Sequence, residues 1–149
     1  MENAICAEDT IRAKKSRRLR WELAYYMYEL QIITQFAAAH QLRNFRGKCE
    51  KLHGHNWRIE VFVEGEKLND AGLLIDFKDL KDATHRILEE LDHSFLNELP
   101  QFKDQNPSSE NIAAYIFTRL SNELNDTNIK VSKVTAWESD SASGSYIGS

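Results

Sequence analysis

Cysteine is scarce in this 149-residue chain: Cys6 and Cys49 stand far apart and form no closely spaced pair. A disulfide framework is thereby excluded, and a reducing cytoplasm is the expected compartment. Long apolar runs are missing too. No stretch approaches the roughly 18 uncharged residues that a membrane span requires, and no basic start followed by an apolar core marks a secretory signal. Proline occurs only at 100 and 107, where it brackets a loop. There is no repeat and no long low-complexity tract, although residues 139–149 are rich in Ser and Gly. An excess of positive charge is also lacking: the net charge is -4, which gives no general argument for a nucleic-acid partner.

What charge there is lies unevenly. Residues 1–26 carry six basic and four acidic side chains, a balance of +2, and 27–149 carry 13 and 19, a balance of -6. The basic run from Lys14 to Arg20 reads either as a polyanion-binding arm or as a solvated extension. No aromatic motif accompanies it, so the second reading is preferred. One domain is expected over 27–149, with 1–26 outside its fold.

Within 27–149 the apolar pattern is legible. Leu30, Ile32, Thr34, Phe36, Ala38 and His40 alternate and share one face of a strand, and Trp57, Ile59, Val61 and Val63 do so in a second strand from His53 to Glu64. A loop containing Arg43, Asn44, Arg46, Gly47 and Lys48 separates them. Asp76 caps a helix running to about Leu91, with the stripe Phe77, Leu80, Thr84, Ile87, Leu88 and Leu91. A second helix begins at Ser108 or Ser109 and carries Ile112, Ile116, Leu120 and Leu124. Ile129 to Trp137 is a strand, and Tyr146-Ile147 a last short one. This order gives an α+β fold: an antiparallel sheet with two helices on one face.

The chemistry-bearing residues cluster in Cys49-Glu50-Lys51-Leu52-His53-Gly54-His55. Histidines at i and i+2 on a strand project from the same face, so both imidazoles reach one ion. Antiparallel pairing brings His40 alongside. Three nitrogen ligands with an open fourth position describe a catalytic zinc site. Cys49, between charged neighbours, is no core residue; it reads as a thiolate proton acceptor near the metal or as a fourth ligand closing a structural site. Asp92-His93 reads as a proton relay or as a cation placed at a helix C-terminus. Glu138, on an otherwise apolar strand face, needs a partner: an ion pair or a ligand's N–H groups. His85 lies off its helix's apolar stripe and is expected in solvent.

Phe36-Ala37-Ala38-Ala39-His40, Cys49-x-x-x-His53-Gly54-His55-Asn56, Leu91-Asp92-His93, Pro107-Ser108-Ser109-Glu110-Asn111 and Trp137-Glu138-Ser139 together resemble the 6-pyruvoyltetrahydropterin synthase family over residues 27–148. The distance from Cys49 to His53, and Leu74-Ile75-Asp76-Phe77, resemble the bacterial 6-carboxytetrahydropterin synthases of queuosine biosynthesis. The resemblance implies a tunnelling fold (T-fold) in which three subunits close a barrel and two trimers stack into a homohexamer. It implies Zn2+ on His40, His53 and His55, with Cys49 as general base and Asp92 and His93 passing protons. It further implies Glu138 gripping the pterin, with Ser108, Ser109 and Glu110 near it. The implied substrate is a pterin triphosphate, 7,8-dihydroneopterin triphosphate, converted by a carbon-carbon lyase to 6-carboxy-5,6,7,8-tetrahydropterin, acetaldehyde and triphosphate. A pyruvoyl synthase and a non-catalytic zinc-stabilised module are the alternatives. Arg43, Arg46, Lys48 and Lys51 are candidate triphosphate contacts or simply a solvated loop.

Overall fold

The computed structural model describes residues 27–44 and 50–148. Two long strands dominate: β1 (Tyr28–His40) and β2 (His53–Gly65) pair antiparallel over their whole length, from Tyr28 opposite Gly65 to His40 opposite His53. The side-chain alternation of the sequence decides the register. Ile32, Phe36, Ala38 and His40 of β1 and Trp57, Ile59, Val61 and Val63 of β2 all point to one face and are buried. A slip of one residue would turn the apolar set of the shifted strand to solvent.

Beyond β2 come α1 (Phe77–Leu88), β3 (Ser94–Phe95), single 3-10 turns at Leu96–Glu98 and Pro100–Phe102, α2 (Ser109–Leu124), β4 (Lys130–Ser139) and β5 (Ala142–Ile147). The strand order is β3-β1-β2-β4-β5. Both helices cover the apolar face: Leu80, Ala83, Ile87 and Leu88 of α1 and Ile112, Ile116 and Leu120 of α2 join the core cluster with Trp57, Ile59 and Val134. Both are capped as expected. Asp76 accepts from Lys78 N at 2.7 Å, and Ser108 Oγ accepts from Asn111 N at 3.4 Å. None of the described helices is long and apolar enough to cross a membrane.

Three details depart from the sequence reading. The sheet is mixed, because Ser94 and Phe95 pair parallel with Ala38 and Ala39; two residues are too few to carry a period-2 signal. Helix α1 ends at Leu88, and Leu91 reaches the core from the turn that follows, so the stripe outlasts the helix. Phe77, counted in that stripe, is half exposed.

The other face is amphiphilic. Arg58 pairs with Glu60 at 3.0 Å and lies 4.5 Å over the Trp137 ring, while Lys133 lies 3.7 Å over Phe62. The sheet of one chain does not close on itself: its order begins at β3 and ends at β5.

Candidate metal centre

The two strand ends that the β1–β2 register brings together carry the histidines. His40 lies opposite His53, and His55 opposite Ala38, so His55 comes diagonally onto the same face. The ring centroids are 4.5 Å apart for His40 and His53, 5.2 Å for His40 and His55, and 4.8 Å for His53 and His55. Trp57 forms an apolar floor, its ring edge-on to His40 and His55 at 5.1 and 5.4 Å.

Glu138, near the end of β4, joins them. One ligand atom from each of His40, His53, His55 and Glu138 lies within 4.8 Å of the others. Sequence reasoning kept Glu138 apart from the imidazoles; its Oε1 stands 3.3 Å from His55 Nε2. That nitrogen is buried and makes no hydrogen bond, the contact to Glu138 being a charge proximity only.

Backbone carbonyls set the tautomers. His40 Nδ1 donates to Pro107 O at 2.8 Å, and His53 Nδ1 donates to Lys51 O at 2.6 Å. A carbonyl only accepts, so each Nδ1 carries the proton, and in the neutral rings each Nε2 is a bare lone pair. These two nitrogens face one another at 3.1 Å. Two lone pairs at that distance repel unless a cation or proton stands between them. Burial opposes the proton, pushing His40 below its ordinary value against the pull of the Pro107 carbonyl. Burial lowers His55 as well, opposed by Glu138. Two facing lone pairs, an orphaned imidazole nitrogen and a carboxylate fit a divalent cation.

The remaining predicted residues fall around this centre. Asp92 and His93 form a pair, with Oδ2 2.8 Å from Nδ1, directly before β3 and beside Ala37 of β1. Ala37 N donates to Asp92 Oδ1 at 2.8 Å, and His93 N donates to Ala37 O at 2.6 Å. The Ala37 N–H, with His93 beside it, holds the Asp92 carboxyl below the usual carboxylate range. His93 sits at φ 52, a left-handed turn residue rather than a helix end. It lines a shallow groove with His55, Ala37, Ala39, Gly54 and Asn56.

Ser109 and Glu110 occupy the first turn of α2 directly after the cap Ser108. β5 passes so close beneath this turn that a Cβ on Gly144 would stand 2.8 Å from Glu110 N. Cys49 lies outside the described residues, as do Arg46 and Lys48. Arg43 is engaged otherwise than expected: its guanidinium donates to Phe102 O at 2.7 Å and to Lys103 O at 2.6 Å. His85 is exposed, 3.3 Å from Thr34 Oγ1. Sequence reasoning missed the carbonyls of Lys51 and Pro107, which no side-chain identity could announce.

Residues 29–149 match the family model described as 6-pyruvoyl tetrahydropterin synthase. The chain belongs to this family. A relative from Archaeoglobus fulgidus, named as a putative 6-carboxy-5,6,7,8-tetrahydropterin synthase, is 38% identical over 103 residues, covering 68% of this chain and 84% of its own length. A dihydroneopterin monophosphate aldolase from Pyrococcus furiosus is 37% identical over 103 residues, covering 69% and 82%. The structure of 6-pyruvoyl tetrahydropterin synthase from Caenorhabditis elegans superposes with a TM-score of 0.75 at 28% identity, covering 83% of this chain and 97% of that one. The α+β architecture, a five-stranded sheet under two helices, is that of the family.

Proposed function

We propose that this chain is a zinc-dependent lyase that converts 7,8-dihydroneopterin triphosphate to 6-carboxy-5,6,7,8-tetrahydropterin, releasing acetaldehyde and triphosphate, in the pathway to queuosine. The observation that carries the reading is the pair of bare Nε2 lone pairs of His40 and His53 facing each other beside His55. The spacing Cys49-x-x-x-His53 and the Archaeoglobus relative favour the carboxy product over the pyruvoyl one.

His40, His53 and His55 would hold a divalent cation, which would supply Lewis acidity toward the substrate's side-chain hydroxyls and the C–H bonds beside them. Cys49 takes up a proton as general base, and His93, oriented by Asp92, exchanges protons with the substrate side chain. Glu138 accepts the pterin's amino and ring N–H groups and fixes the ring. Ser108, Ser109 and Glu110 flank the pterin. The open sheet fits a homohexamer built from two barrel trimers, and a catalytic thiol fits a reducing cytoplasm.

The test is product identification by mass after incubation with dihydroneopterin triphosphate. 6-Carboxytetrahydropterin supports the proposal, and 6-pyruvoyltetrahydropterin would establish the pyruvoyl synthase instead. Turnover of the monophosphate alone would align the chain with the Pyrococcus relative. Cys49→Ala separates enzyme from zinc-stabilised module: turnover is lost with metal retained if the thiol is the base, and metal is lost if it is a ligand.

A further inference from the structure

We infer that Arg43, Asn106 and Asn111 form a positioning clamp for the metal ligand His40, acting through the Pro107 carbonyl. His40 is 1% exposed, and Pro107 O is the partner of its Nδ1. That hydrogen bond fixes both the tautomer and the plane of the ring, so the place of one carbonyl sets the aim of Nε2. Yet Pro107 sits in residues 103–108, which have no regular secondary structure. No β ladder holds this carbonyl, and proline has no N–H of its own to anchor it.

Side chains do the anchoring. Asn106 Oδ1 accepts from Arg43 N at 2.8 Å, and Asn106 Nδ2 donates to Arg43 O at 3.0 Å, a reciprocal pair that imitates one rung of a ladder. The Asn106 carbonyl accepts from Asn111 Nδ2 at 2.8 Å, tying the turn to α2. The two guanidinium bonds from Arg43 fix the start of the same turn at Phe102 and Lys103, and Phe102 is fully buried. The segment leaving His40 is thus joined through Arg43 to the turn that reaches Pro107, and Asn111 ties that turn to α2 on the far side of Pro107. Lysine cannot replace Arg43 here, because one ammonium lacks the planar fork that spans two carbonyls.

The inference rests on the metal-site reading, and one titration separates the two. Metal-free full-length protein is titrated with zinc against a chelator, and with cobalt(II) followed by its visible d–d absorption. The variants are Arg43→Lys, Asn106→Ala and, as a control, Asn128→Ala. Asn128 makes a similar three-bond clamp with the backbone of Glu66 and Lys67, at the far end of the sheet. Wild type is expected to bind one equivalent of each metal. Arg43→Lys and Asn106→Ala are expected to weaken zinc binding about 10–100-fold and to shift the cobalt bands, whereas Asn128→Ala lowers the melting temperature and leaves both unchanged. Wild-type affinity and spectrum in both site variants, or equal effects in Asn128→Ala, would overturn the clamp while leaving the metal site standing. Failure of wild type to bind either metal would overturn both. If Arg43 served as a phosphate contact instead, Arg43→Lys would keep metal affinity and spectrum, and that result counts against the clamp.

Discussion

Glu138→Gln distinguishes two jobs that one carboxylate can do at this site. The side chain stands 3.3 Å from His55 Nε2, close enough to join the imidazoles on an ion, yet one carboxylate edge is also what a pterin's paired N–H donors require. Glutamine keeps the shape, removes the charge and turns one acceptor into a donor facing the pterin. A hydrogen bond to a charged group contributes about 1.5–3 kcal/mol. Losing one and opposing another should therefore cost roughly 3 kcal/mol, or about 100-fold in kcat/KM at 1.4 kcal/mol per decade. Three imidazoles remain to hold the metal, so zinc content stays at one per chain. The assay is steady-state turnover of dihydroneopterin triphosphate alongside metal analysis of the same preparation. Substoichiometric zinc, with kcat/KM per bound zinc unchanged, would refute the pterin grip and make Glu138 a ligand.

Other expectations follow from the geometry. Gly144→Ala drives a Cβ against Glu110 N and Ser109 at the start of α2; it should destabilise the fold by about 1–3 kcal/mol, measurable as a lower urea midpoint at unchanged m-value. The metal-free protein should lose stability as pH falls from 6.5 toward 5. His40 and His55 have folded-state values below 6.5, so the unfolded chain binds more protons in that window and is favoured by acid. A urea midpoint flat from pH 7 to pH 5 would contradict this. His40→Gln should flatten the wild-type slope.

The fold was readable where burial was one-sided. Alternation through β1 and β2 placed Phe36, His40, Trp57 and His55 on one face correctly, because a strand covered on one side leaves no other arrangement for its apolar set. Convergence of the three histidines followed from the same parity. Less was legible where the structure depends on turns. Leu91 continued the helical spacing but reaches the core after the helix has stopped, and Ser94-Phe95 joins the sheet through contacts that Asp92 and His93 make with Ala37. Arg43 looked like a free cation because a sequence displays its charge and not the two carbonyls it holds. Glu138 was recognised as a carboxylate needing a partner, but its reach to His55 depends on how β4 lies beside β2, with a register shift between Trp137 and Ser139 on its other side.

The choice of carbonyls rather than carboxylates behind His40 and His53 has a consequence for the chemistry. A carboxylate on Nδ1 would hold an imidazole in the protonated form, since an adjacent negative charge favours the cation. A carbonyl fixes the same tautomer with only a dipole, and burial keeps the His40 ring neutral. The centre thus stays open to a metal at pH values where a carboxylate-backed ring would still compete for a proton. It also confines the formal negative charge among the four grouped side chains to Glu138. A divalent ion held by these groups would keep net positive charge even with that carboxylate ionised, the condition under which it would supply Lewis acidity rather than being neutralised by its own ligands.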